Sequence, residues 1–242
     1  MIAERGAMNY ERPAEHRTIF AVDVEGYGDH RRTTPHRLAL REGLYRALLR
    51  AFEDAGVPWR HCRREDCGDG VFVLAPAEIP KGPFVEFLPN ALAVALHRHN
   101  LTHHPGARIR LRMALHAGEV AYDEHGVTAP AINQTFRLLD AAPLKDALKS
   151  SRGVLALITS AWFFDEVVRH SEGLDPRTFR PVPVAVKETR TTGWISLPDR
   201  PYPADASLLV PEQGPVTAID DYRTWRRFRR HAQVLADRDD PA

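Results

Sequence analysis

Thr18-Ile-Phe-Ala-Val-Asp-Val-Glu-Gly-Tyr-Gly28 reads as a strand that is apolar on consecutive positions from Ile19 to Val22, reaches a carboxylate at Asp23 and breaks into turn chemistry at Gly26 and Gly28. A run without polar alternation belongs to a strand covered on both faces. A second aspartate stands in the same relation to an apolar run in Cys67-Gly-Asp-Gly-Val-Phe-Val-Leu74, where Asp69 precedes Val71 to Ala75. Between the two, Thr34 to Ala55 carries Leu40, Leu44, Leu48, Leu49 and Phe52 at steps of three and four, a helical period that Gly56-Val-Pro58 stops.

Working outward, Trp59 to Glu65 and Val71 to Ala75 form two extended segments joined by the Gly- and Asp-rich turn 66–70, a hairpin with Asp69 at its tip. A helix from Pro89 or Asn90 to Asn100, a strand over Ile109 to Val120, and a helical stretch over Ala131 to Leu148 broken near Pro143 follow. Gly153 to Thr159 is a strand, Ser160 to Arg169 a short helix capped by Ser160, and Pro181 to Lys187 and Gly193 to Leu197 the last strands. That order predicts an α+β domain with a ferredoxin-like split βαβ core, a mostly antiparallel sheet with helices packed on it. Residues 1–17 read as a flexible N-terminus and 18–197 as the folded domain. Residues 198–242 read as a proline-punctuated linker and a charged C-terminal helix bearing Trp225, Phe228 and Val234.

The 242 residues are 43% hydrophobic and 27% charged, ordinary for a globular chain with a real core. A formal charge of +1 gives no global field toward nucleic acid or an anionic membrane, so any anion site must be local. Two cysteines, Cys62 and Cys67, make no disulfide framework, and no apolar stretch has the length of a signal peptide or spanning helix. The expectation is a cytoplasmic protein.

An aspartate at a strand end, followed by a glycine turn, sets a carboxylate beside amides able to take a phosphate, and a second aspartate on a neighbouring hairpin would let the two share divalent ions. Singly, each Asp is more often a turn former. Asn133 and Arg137 stand at i and i+4 on one helix face, an amide and a planar cationic fork.

Taken in order, Phe20-Ala-Val-Asp-Val-Glu-Gly-Tyr27, Glu65-Asp-Cys-Gly-Asp-Gly70, Leu111-Arg-Met-Ala-Leu-His-Ala-Gly-Glu-Val120 and Ile132-Asn-Gln-Thr-Phe-Arg-Leu138 resemble the successive motifs of class III nucleotidyl cyclases, over roughly Thr18 to Leu197. The resemblance implies that Asp23 and Asp69 bind two Mg2+ or Mn2+ ions. It implies that Asn133 and Arg137 come from the other subunit of a head-to-tail homodimer as the transition-state clamp. It also implies that the amides of Val24, Glu25, Gly26 and Tyr27 cradle the β and γ phosphates, with Lys187 or Arg190 as a further phosphate contact. The reaction implied is attack of a ribose 3'-hydroxyl on the α-phosphate with loss of pyrophosphate.

In that family the position three before Gly68 helps select the base, lysine for adenine and glutamate for guanine; here it is Glu65. The second selecting position falls at 126–128, where neither the aspartate of adenylate cyclases nor the cysteine of guanylate cyclases stands. A cyclase with that pocket and no fused sensor also resembles bacterial anti-phage pyrimidine cyclases, which make cyclic UMP or cyclic CMP for a separately encoded effector. The expectation is a pyrimidine product, with cyclic GMP as the alternative, and a catalytically silent cyclase-like binding module as the alternative of another class.

Other features read as structural. His116 is expected to be packed and satisfied by backbone; His97, His99, His103 and His104 to form a solvated helix end; Asp29 to Arg32 to be a solvated charge run; Cys67 to be a small apolar filler; and Trp162, Phe163 and Phe164 to be core or interface packing.

Overall fold

The computed structural model describes residues 13–205 and 207; the C-terminal helix expected around Trp225, Phe228 and Val234 lies outside the described residues. The strands are β1 (Glu15–Val24), β2 (Arg63–Asp66), β3 (Gly70–Ala75), β4 (Leu111–Asp123), β5 (Gly126–Thr128), β6 (Leu155–Ser160), β7 (Arg180–Val186) and β8 (Thr189–Ser196). The helices are α1 (Thr34–Asp54), α2 (Pro83–Glu86), α3 (Leu88–Thr102), α4 (Pro130–Leu139), α5 (Ala142–Ser150) and α6 (Ala161–Glu166). They build an α+β fold on a sheet of order β2-β3-β1-β4-β6-β8-β7, with β5 paired to β4 alone. The segment β1-α1-β2-β3-α3-β4 supplies β2-β3-β1-β4, every neighbouring pair antiparallel, which is the split βαβ arrangement. Parallel pairing enters where β6 joins β4.

The unalternated run in β1 is explained by cover on both faces. Phe20, Val22 and Val24 point into the larger core with Leu40, Leu44, Leu48 and Phe52 of α1 and Leu88, Leu92 and Leu96 of α3. Ile19 and Ala21 point to the other side, against Leu138 and Leu139 of α4 and Leu144 and Leu148 of α5. Side chains alternate across a strand, so Asp23 faces the α4 and α5 side. Glu65, paired with Phe72 of that second core, shares its face.

The elements depart from the sequence expectation at several places. Trp59–His61 is a 3-10 turn rather than strand, because Trp59 folds back edge-on to Phe52, with ring centroids 4.7 Å apart. The helix pair breaks at Asp140 and Ala141, not at Pro143. That proline sits in the first turn of α5, where its missing N–H costs no bond. The short strand β5 was not foreseen, since three residues carry too little periodicity to read.

His116 is buried, but its partner is the Ser160 hydroxyl, 2.8 Å from Nδ1, rather than backbone. The β4–β6 pairing brings that hydroxyl to it, and the same oxygen accepts the Phe163 amide to cap α6. His99 is buried too, bonded to the Ala107 carbonyl and packed where a Gly43 side chain would otherwise stand, so this helix end is not simply solvated. Cys67 is exposed in the hairpin loop and fills nothing. Phe163 and Phe164 are core, while Trp162 stays exposed.

Burial, and to a smaller degree the neighbouring His16, pushes the His116 imidazole down from 6.5 to about 4. The folded state therefore holds fewer protons than the unfolded one between those values, and stability present above pH 6.5 is lost as pH falls toward 4, by about 3 kcal/mol at most. Urea unfolding at pH 7 and pH 5 checks this: the wild type loses stability across that interval, and His116→Gln loses measurably less. Equal losses in both proteins would contradict it.

Candidate functional site

The site begins with a backbone contact. Gly70 opens β3 opposite Asp23 of β1, and a Cβ on it would overlap the Val22 carbonyl oxygen, so only glycine lets the two strands close at this level. The Val24 amide donates to the Asp69 carbonyl at 2.9 Å, which staples the hairpin tip to the end of β1. Asp23 and Asp69 thus become neighbours, close enough that the Asp69 charge raises the Asp23 carboxyl.

Asp23 is only 14% exposed, and burial is the main cause that lifts its pKa from 3.8 to about 6, against the pull of Arg112. Arg112, its cross-strand partner on β4, holds it by two parallel bonds of 2.7 Å, Nε to Oδ1 and Nη2 to Oδ2. Asp140, at the end of α4, is a further negative neighbour. Arg112 stands in the segment Leu111 to Val120, but its reach to Asp23 needs the β1–β4 register, which the sequence does not spell out.

The loop after β1 is held from three directions. The Glu25 amide donates to Arg110 O at 2.9 Å and the Tyr27 amide to Val24 O at 3.3 Å, so with the Val24 bond three of the four amides expected at a phosphate are already engaged. The N–H of Gly26, a residue at φ +65, has no protein partner among the described residues. Arg32 donates to the carbonyls of Gly106, Arg108 and Glu25, so that part of the charge run is a strap rather than a solvated patch. Arg110 binds the Glu25 carboxylate at 2.7 Å, the carbonyl of Leu148 in the last turn of α5, and the carbonyls of Ser151 and Gly153 just beyond it.

The hairpin tip carries two aspartates with opposite fates. Asp66 is taken up by Arg41 and Tyr45 of α1, whereas the exposed Asp69 carboxylate has no hydrogen bond or ion pair among the described residues. Beside it, Glu65 pairs with Arg63 at 2.9 Å, and Arg63 lies against Gly126 of β5, so the two regions expected to read the base are adjacent. Arg63 was passed over in the sequence because nothing there shows which side of β2 it faces.

On α4, Asn133 is exposed and Arg137 is mostly buried; Arg137 reaches Glu188 in the β7–β8 turn at 3.3 Å, and its Nε is a buried donor with no partner among the described residues. No bond among the described residues joins either residue to Asp23 or Asp69. Lys187 occupies the same turn at φ +49. Arg190 spends its guanidinium on the carbonyls of Lys187 and Thr189, leaving Lys187 as the open cation of the pair.

The donor set at Asp23 and Asp69 is carboxylate oxygen, the kind a hard divalent cation takes. Among the described residues no group of three or more His, Cys, Asp or Glu could hold a metal by itself. The residues therefore fit such an ion only together with substrate phosphate oxygens and water; each Asp23 oxygen accepts one bond from Arg112 and keeps a second lone pair.

No protein-family model matches the sequence, and no curated protein matches it. Solved structures do. An adenylate/guanylate cyclase/hydrolase from Silicibacter pomeroyi superposes with a TM-score of 0.54 at 17% identity, over 77% of this chain and 98% of that one. A bacterial light-regulated adenylyl cyclase gives 0.55 at 15% identity, over 75% of this chain and 50% of its own. The catalytic core of a rhodopsin-guanylyl cyclase with converted specificity, in complex with ATPalphaS, gives 0.51 at 15%, over 77% and 98%. At such identities the likeness is one of fold.

Two substitutions test this construction. Gly70→Ala should destabilise the protein by about 2 kcal/mol or more in chemical denaturation, since backbone rather than a flexible side chain must give way. Arg112→Met should cost about 3 kcal/mol at pH 8 by stranding a buried carboxylate. That loss should shrink as pH falls from 8 toward 6, because without Arg112 the Asp23 carboxyl takes up its proton at a higher pH than in the wild type; a loss independent of pH would contradict the pairing.

Proposed function

We propose that this chain is a nucleotidyl cyclase that converts a nucleoside triphosphate to its 3',5'-cyclic monophosphate and pyrophosphate, in composite sites of a head-to-tail homodimer. The observation that carries the reading is the stapled pair Asp23 and Asp69 at one end of a split βαβ sheet of cyclase type, with an unpartnered Asp69 carboxylate and an unpartnered Arg137 Nε in the same chain that do not meet. Two complementary half-sites on one subunit are what a closed twofold assembly completes.

Asp23 and Asp69 would hold Mg2+ or Mn2+, two ions per site. When bound, such ions supply charge neutralisation and a lowered pKa for the ribose 3'-hydroxyl. The Gly26 amide donates to a terminal phosphate oxygen, and Lys187 of the partner subunit's turn adds a cation. Asn133 orients a ribose oxygen, and Arg137 turns its Nε and the rest of its fork on the α-phosphoryl oxygens as the new 3'-oxygen bond forms and pyrophosphate departs. The 3'-hydroxyl proton leaves to solvent.

For the base we propose a pyrimidine, uracil foremost. A guanine edge offers adjacent N–H donors that suit a free carboxylate; Glu65 has one oxygen engaged by Arg63. The pair together presents a donor beside a single acceptor, which matches the carbonyl and lone N–H of uracil. Glu65 itself stands where guanylate cyclases carry glutamate, so cyclic GMP remains the second reading. Cyclic UMP acting through a separately encoded effector in bacterial defence extends the same proposal.

Incubating the purified protein with Mn2+ or Mg2+ and each of the four ribonucleoside triphosphates, then separating products, tests the reading. Cyclic UMP should dominate, and Arg63→Ala should shift base preference more than it lowers total turnover. Cyclic GMP as the main product would overturn the base assignment. No cyclic product from any nucleotide, with the protein dimeric, would leave a silent binding module.

A further inference from the structure

We propose that Arg41 and Tyr45 of α1, acting through Asp66, are positioning residues that set where the hairpin tip presents the Asp69 carboxylate. This rests on the reading of Asp69 as a metal ligand. The loop Cys67-Gly68-Asp69 is short, and its own backbone closes it by one bond, Cys67 N to Gly70 O at 3.0 Å, with Gly68 at φ +85. Side chains complete it. Asp66 Oδ1 accepts from the Gly68 amide at 2.8 Å and from Arg41 Nη1 at 3.2 Å. Asp66 Oδ2 accepts from the Tyr45 hydroxyl at 2.5 Å and from Arg41 Nη2. Arg41 Nη1 also donates to the Gly68 carbonyl at 2.6 Å.

The consequence falls on Asp69. The residue before it is held at both its N–H and its carbonyl, and the carbonyl of Asp69 itself accepts the Val24 amide. Both peptide planes flanking Asp69 are thereby fixed while its carboxylate keeps no protein partner. Asp66 is correspondingly withdrawn as a ligand, because both its oxygens are filled; the Arg41 bonds, ahead of Tyr45, hold its carboxyl down at about 2. The anchor is rigid. Arg41 and Tyr45 stand at i and i+4 on one side of α1, whose adjacent positions Leu40, Leu44 and Leu48 are sunk in the core.

The Arg41–Asp66 pair is about one-third exposed on each side, so it adds little to global stability and acts chiefly on loop geometry. That separates a positioning role from a merely structural one. The sequence singles out Asp69 by resemblance but does not show what Asp66 does.

Hydrogen exchange followed by mass spectrometry on the full chain, over peptides spanning residues 65–70, tests the clamp without reference to activity. It is paired with Mn2+ binding read by electron paramagnetic resonance in the presence of a non-cyclising triphosphate analogue. Arg41→Ala should speed exchange in the loop about 10-fold and weaken Mn2+ binding by a similar factor, with the thermal midpoint little changed. Tyr45→Phe, which keeps the ring packed, should give the same pattern at about 3-fold. Adding Tyr45→Phe to Asp66→Ala should change loop exchange no further than Asp66→Ala alone, because the Tyr45 hydroxyl reaches the loop only through Asp66. Unchanged loop exchange, or faster exchange with unaltered Mn2+ affinity, overturns the proposal. If the wild type binds no Mn2+ while loop exchange still depends on Arg41, the metal reading fails and the clamp stands.

Discussion

The site depends on the closure of two backbones at Gly70. Without a side chain there, β3 starts directly against Val22 and Asp23, and the Val24 amide reaches the Asp69 carbonyl. Everything else around the carboxylates elaborates that contact. Burial makes Asp23 costly to ionise, Arg112 offsets the cost with two bonds, and the charge of Asp69 adds to it. A buried carboxylate held by arginine beside an exposed one that has no hydrogen bond or ion pair among the described residues is the arrangement on which the proposed cation site rests.

Arginine does most of the holding. Arg112 fixes Asp23, Arg110 and Arg32 fix the loop after β1, and Arg41 fixes the hairpin through Asp66. Each spends a multi-donor fork on oxygens that would otherwise let a loop drift. Arg137 differs, since one of its donors is buried and unspent. The contrast separates scaffold arginines from the one proposed to meet substrate, a distinction that net charge near zero conceals.

Much of the fold was legible because its elements are strongly patterned. The continuous apolar run of β1, the leucine period of α1 and the Gly-Asp-Gly turn of the β2–β3 hairpin each carry a local physical signature. The sites of Asp23 and Asp69 followed from those elements. What escaped was what only register and packing create: the Arg112 partner across β1 and β4, the Arg63–Glu65 pair beside β5, the Ser160 partner of His116, and the capture of Asp66 by Arg41 and Tyr45. The amides of Val24, Glu25 and Tyr27 were likewise counted as open, because their carbonyl partners lie on distant segments or within a turn whose form the sequence leaves unstated.

The central claim is that one subunit contributes Asp23 and Asp69 and its partner contributes Asn133 and Arg137. Subunit complementation addresses it most directly: Asp69→Ala and Arg137→Ala are each purified, assayed alone, then mixed under conditions that allow subunit exchange. The account predicts two inactive proteins whose mixture recovers up to about a quarter of wild-type turnover, because a mixed dimer keeps one intact composite site. Demonstrated exchange with no recovered activity would contradict it.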